Sequence, residues 1–164
     1  MQRNDGSVTR FRVIDTEDYF KMVKLSLAET GSAQVRVTGN SMWPMLHHLR
    51  DSVTIIPHGK IRRGDVVLFD RQNGRYALHR VIRTGEQGFT MAGDNQWHVE
   101  RDLPYAQIVG VVDSMVRNGR SISCRKKSVR FYAWLVTLFT LPRIYLRRAV
   151  GKVLKPFRRG RSRV

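Results

Sequence analysis

The stretch 76-YALHRVI-82 decides how this chain is read. Ala77, His79 and Val81 fall on one side of an extended backbone, the period of two that a strand imposes. Arg80 then points to the opposite face, in a structural or solvated role. Turn signals stand on both sides, Asn73-Gly74 before and Thr84-Gly85 after. Outward from there the pattern repeats. Asp65 to Phe69 and Phe89 to Ala92 are the nearest short runs rich in apolar or β-branched residues. Val35 to Thr38, Ser52 to Pro57 and Ile108 to Val116 lie beyond, with His58-Gly59 as a further turn. Ahead of them, Asp15 or Thr16 can cap a helix with Glu17 and Asp18 in its first turn. Phe20, Val23 and Leu27 share one face of it, and Gly31 is the stop. The expected fold class is mostly β (α+β): a compact, mainly antiparallel β domain with helices at both ends. The expected divisions are a helical segment over residues 1–31, the β domain over 32–124 and a basic helical tail over 125–164.

Composition fits one domain. The 164 residues, 41% of them hydrophobic, are enough for a real core and too few for two comfortable domains. Thirty Lys and Arg against 13 Asp and Glu give a formal charge of +17, which excludes an acidic, calcium-buffering protein. The single cysteine, Cys124, excludes an intrachain disulfide framework and a thiol-rich zinc site. Charge is unevenly placed. Residues 125–164 hold 13 basic groups and no acid, leaving 17 against 13 in residues 1–124. Such a tail seeks an anionic surface.

No segment reads as a cleavable signal or a span. Met1 to Arg10 is polar, and the longest nearly uncharged run, 131-FYAWLVTLFTLP-142, falls short of the ~20 residues a bilayer crossing needs. In 143-RIYLRRAVGKVLKPF-157, Leu146, Val150, Val153, Leu154 and Phe157 recur at helical spacing opposite Arg147, Arg148, Lys152 and Lys155. That pattern suits a helix lying in an anionic membrane interface, with packing on its own domain as the alternative and nucleic acid third. Pro142 is expected to break or kink the path between the two segments.

Three islands carry chemistry. In 38-TGNSMWPML-46, Gly39 and Asn40 permit a tight turn that lifts Ser41 out of the sheet. The strand 76–82 offers His79, and 93-GDNQWHVE-100 is a polar turn with Asp94 and Glu100. A serine hydroxyl becomes a nucleophile when an imidazole takes its proton and a carboxylate orients that imidazole. Ser41, His79 and one of the two carboxylates have the right types. Residue types alone also fit turn capping and an ordinary core histidine. His47, His48, His58 and His98 are scattered, so neither a metal nor a cofactor is expected. Asp65 and Asp70 read as strand ends. Trp43 and Trp97 read as aromatic packing at turns, with a substrate groove as the alternative.

The wording of the islands adds to this. Gly-Asn-Ser41-Met42-Trp-Pro44, 64-GDVVLF-69, Leu-His79-Arg80-Val-Ile, Gly93-Asp94-Asn95 and 108-IVGVV-112 occur in the order found in the signal peptidase superfamily. Residues 35–113 thus resemble the serine-protease group of signal peptidases and self-cleaving SOS repressors. The resemblance implies a compact antiparallel β fold, with Ser41 as nucleophile and His79 at the place of the general base, as in the histidine-type branch. It implies an acid from the segment starting at Gly93, with Glu100 and Asp94 nearly level and a structural role as the alternative for Asp94. It also implies an oxyanion site at the Ser41 backbone N–H. Asn40 and Met42 flank that site as positioning residues, and the Asn40 side chain is a candidate second donor where bacterial signal peptidases use a hydroxyl at the place of Gly39.

The chain also departs from that group. The membrane enzymes carry an N-terminal anchor, whereas this sequence opens on a polar segment, so the cytosol or the inner membrane face is expected. Among the 40 residues ahead of Ser41 there is no Ala-Gly scissile pair, which disfavours the repressor reading. The expected activity is serine endopeptidase cleavage of a peptide or leader-bearing protein at or near an anionic membrane surface contacted through residues 125–164. An inactive peptide-binding module is the alternative.

Overall fold

The computed structural model describes residues 15–159 other than 73, with side chains as far as 146. The polar start Met1 to Arg10, Asn73 of the expected turn, and the side chains of Val150, Val153, Leu154 and Phe157 on the expected apolar face lie outside what is described. The fold is mostly antiparallel β between two helices. Helix α1 spans Thr16–Thr30, and Val23 and Leu27 are buried on one of its faces. Asp15 occupies the N-cap without a side-chain cap bond. The helix ends where Gly31 turns left-handed, at φ 73°, and donates its N–H to Leu27 O. Each buried aliphatic contributes roughly 1.5–3 kcal/mol. Phe20 extends the contact by stacking on Tyr76, and Lys24 pairs with Asp70.

Eight strands follow: β1 (Ala33–Arg36), β2 (Ser52–Ile56), β3 (Val66–Asp70), β4 (Tyr76–Thr84), β5 (Phe89–Ala92), β6 (Glu100–Leu103), β7 (Ile108–Arg117) and β8 (Arg120–Ser123). They form one sheet in the order β1-β2-β7-β3-β4-β5-β6, with β8 also paired to β7. Every described pairing is antiparallel. The strands β6 and β8 were not expected from sequence. Their burial is intermediate or exposed throughout, so neither carries the apolar alternation that marks a strand.

The sheet buries both sides. Val66 and Leu68 of β3 join α1, β1, β2 and Met42, Met45 and Leu46 in one core cluster. Val67 and Phe69, one residue out of phase, join Ala77 and Val81 of β4 and Phe89 and Met91 of β5 in a second. Residues one and three of β3 therefore serve a different core from residues two and four, as the pleat requires.

The C-terminal helix corrects an expectation. Helix α2 runs without interruption over Lys127–Arg159 and passes through Pro142. Pro142 lies on the exposed side, where its ring and the carbonyl it leaves unpaired one turn earlier meet no core. Thr140 before it and Ile144 after it are both buried, at 2% exposure, so the two halves are held on one surface. The hydroxyls of Thr137 and Thr140 return to the helix's own carbonyls at Ala133 and Val136. Packing along both halves thus outweighs the roughly 3 kcal/mol that an interior proline costs a helix. No described helix is long and apolar enough to cross a membrane.

Candidate active site

The serine turn is fastened at four points. After β1, Gly39 takes φ 92°, a conformation a side chain resists, and its N–H donates to His48 Nδ1 at 2.8 Å. Asn40 O accepts from Trp43 N–H and from Asn95 Nδ2. Ser41 O accepts from Asn95 N–H at 2.8 Å. Met42 is 1% exposed in the first core cluster, and its carbonyl accepts from Leu46 N–H. Met42 therefore positions the turn by packing, while the Asn40 main chain joins it to the next island. Ser41 itself remains half-buried.

The second island meets the first through the sheet. Ala92, the last residue of β5, pairs with Arg80 of β4. The 93–95 turn, and the Ser41 turn it grips, therefore sit at the end of β5 beside the strand that carries His79. Contact is close enough to require glycine, since a Cβ on Gly93 would stand 2.6 Å from Ser41 O.

The two carboxylates separate here. Glu100, at the start of β6, accepts from or shares a proton with His79 Nδ1 at 2.8 Å through Oε1. The same carboxylate is held by Arg71, from Nε at 2.9 Å and from the terminal nitrogen at 2.6 Å. Burial works against ionisation of Glu100, but the hydrogen bonds from His79 and Arg71 outweigh it and bring its carboxyl down to about 2. His79 is 2% exposed. With Nδ1 committed to a carboxylate, Nε2 is the nitrogen left to exchange protons. Among the described residues, no hydrogen bond joins Ser41 Oγ to His79.

Asp94 is committed elsewhere. Both its oxygens receive the Arg80 guanidinium, at 2.8 and 2.7 Å, and Tyr132 of α2 donates its hydroxyl at 3.1 Å. Arg80 also donates to Gly64 O and contacts Met45 Sδ. Both side chains of this pair are 1% exposed. The solvated alternative for Arg80 is thus corrected. It does leave β4 on the face opposite His79, but the 42–46 segment and α2 cover that face, and only an ion pair tolerates such burial.

Sequence reasoning missed several of these groups. Arg71 follows β3 and resembled any surface arginine. His48 looked like half of an unremarkable His-His pair. Asp51 is fully buried, and hydrogen bonds from Arg50, Arg117 and the His47 N–H overcome burial to hold it well below the ordinary carboxylate range. It braces the segment that follows the serine turn. In sequence Asp51 gave no sign of this, since it stands directly before a strand, at a place usually filled by a solvated residue. Among the described residues no cluster of His, Cys, Asp or Glu could hold a metal ion.

The site therefore offers a half-buried hydroxyl on a rigid turn and a buried imidazole with an ionised partner. Such a set can perform acyl transfer at a carbonyl. The family model of Peptidase S24-like proteins matches residues 6–113, which include the serine turn, β4 and all of the 93–100 segment. No curated protein matches the chain.

Proposed function

Because the chain belongs to the Peptidase S24-like family, we propose that it is a serine endopeptidase in which Ser41 is the nucleophile, His79 the general base and Glu100 the orienting acid. The observation that carries this reading is the 2.8 Å bond between His79 Nδ1 and Glu100 Oε1. It fixes the ring so that Nε2 can take the Ser41 proton, and it stabilises the imidazolium formed by that transfer. Ser41 Oγ then attacks the peptide carbonyl, and the oxyanion turns toward the Ser41 backbone N–H, with the Asn40 amide as a second donor. The imidazolium returns its proton to the leaving amine, and water repeats the sequence on the acyl-enzyme. The Ser41 hydroxyl closes on His79 when substrate arrives, since catalytic hydrogen bonds commonly tighten only in the complex. The substrate binds as an extended strand and presents a small side chain beside Ser41. A leader-bearing peptide or protein fits that description.

Incubation with a peptide library, read by mass spectrometry, tests the assignment. Wild type cleaves, whereas Ser41→Ala and His79→Ala do not. Equal cleavage by Ser41→Ala, or no cleavage by any form across a broad range of conditions, overturns it.

A further inference from the structure

Helix α2 is apolar on two opposite sides between Phe131 and Leu146. One side holds Ala133, Thr137, Thr140 and Ile144 against the domain. On the other, Phe131, Trp134, Leu138, Phe139, Tyr145 and Leu146 are between 43% and 67% exposed, with Pro142 among them. Every exposed residue from 131 to 146 is apolar or aromatic. The one charged residue in this span, Arg143, turns inward and donates to Asp94 O and Gln96 O at 2.9 Å each. The stripe is about 22 Å long at a rise of 1.5 Å per residue. Basic residues bound it at both ends, Arg125, Lys126 and Lys127 on one side and Arg147 and Arg148 on the other.

We propose that this outer face of α2 lies in the interface of an anionic lipid bilayer, parallel to its plane. An uncharged stripe with Trp and Tyr, flanked by cations, matches the boundary between acyl chains and anionic headgroups. A nucleic acid backbone fits such a stripe poorly, because phosphate contacts need cations along the contact surface. A second copy of the chain must approach against a formal charge of +17 on each partner. The anchored first half of the helix has no need of the stripe for folding, since its opposite side already meets the sheet. The placement bears on the candidate site. Tyr132 and Arg143 tie α2 to Asp94 and Gln96, in the segment that grips the Ser41 turn. A bilayer on the far side of α2 therefore lies about one helix diameter, about 10 Å, from that segment.

Co-sedimentation of the full chain tests this with vesicles of phosphatidylcholine alone and of phosphatidylcholine with phosphatidylserine. Binding is expected to the mixed vesicles and to weaken in high salt. The variant Trp134→Ser, Leu138→Ser, Phe139→Ser alters exposed side chains only and is expected to lose at least about tenfold in affinity. Circular dichroism checks that it remains folded. In a second variant, Trp43→Phe with Trp97→Phe leaves Trp134 as the lone indole, whose emission is expected to shift to the blue and be quenched by brominated lipid. Undiminished vesicle binding by the serine variant, or no binding of wild type to anionic vesicles, overturns the proposal. So does a concentration-dependent dimer that the serine variant abolishes in the absence of lipid binding, which assigns the face to a second copy. These outcomes do not depend on peptide cleavage.

Discussion

Asp94 and Glu100 stand six residues apart in one polar segment, and opposite consequences are expected on removing them. In Asp94→Ala, the Arg80 guanidinium, 1% exposed, loses the two oxygens that neutralise it and cannot reach water. Stranding one member of a buried pair costs about 3–5 kcal/mol, a large part of the roughly 5–15 kcal/mol that holds a domain together. At about 2–4 °C per kcal/mol for a chain of this size, the melting temperature falls by roughly 6–20 °C. Glu100→Gln behaves differently. Its arginine partner, Arg71, is 35% exposed and can turn into water, so the expected cost is about 1 kcal/mol or less. Activity falls instead by about a thousandfold to ten-thousandfold, because His79 loses the anion that sets its tautomer and supports its charge. The double variant Arg80→Met with Asp94→Leu removes both buried charges and is expected to recover most of the stability and retain cleavage. Thermal unfolding and peptide cleavage per folded molecule, measured on all three, separate the roles. If the double variant is folded but as inactive as Glu100→Gln is predicted to be, and Glu100→Gln itself cleaves normally, the assignment of the two carboxylates is wrong.

Three further outcomes follow from the same geometry. Gly93→Ala forces the Ser41 turn away from a Cβ that would stand 2.6 Å from its carbonyl, so kcat is expected to fall at least about tenfold even in molecules that remain folded; unchanged kinetics would show that the turn has slack. The Glu100 carboxyl sits at about 2 against an ordinary 4.5, so the folded state binds fewer protons there than the unfolded one and its stabilisation, complete above pH 4.5, is lost as pH falls toward 2. The unfolding free energy from denaturant titrations should fall more steeply with pH over that window for wild type than for Glu100→Gln. Pro142→Ala restores a backbone donor within a continuous helix and is expected to raise stability by up to about 3 kcal/mol; an unaltered or lowered melting temperature would indicate that the proline is accommodated without loss.

Much of the sheet can be read from local alternation. Ala77, His79 and Val81 do share a face, and the runs at 52–56, 66–70, 76–84, 89–92 and 108–117 are strands because each has a face to bury. Gly31 stops α1 because only glycine enters the left-handed region without penalty. The strands β6 and β8 escape such reading, being held by ladder bonds to β5 and β7 rather than by apolar burial. For the site, the residue types of Ser41 and His79 could be picked out from chemistry, yet no local feature distinguished Asp94 from Glu100.

What the sequence by itself determined is the set of elements, the cationic tail and the polar turns that carry reactive groups, since these follow from periodicity, turn chemistry and charge along the chain. Tertiary structure alone decided which face of β4 is covered, and hence that Arg80 needs Asp94 while Glu100 is left to His79 and Arg71. It likewise decided that α2 continues through Pro142 and turns a second apolar face outward. Pairing and burial depend on what packs from elsewhere in the chain, and a residue's own neighbours in sequence do not carry that information.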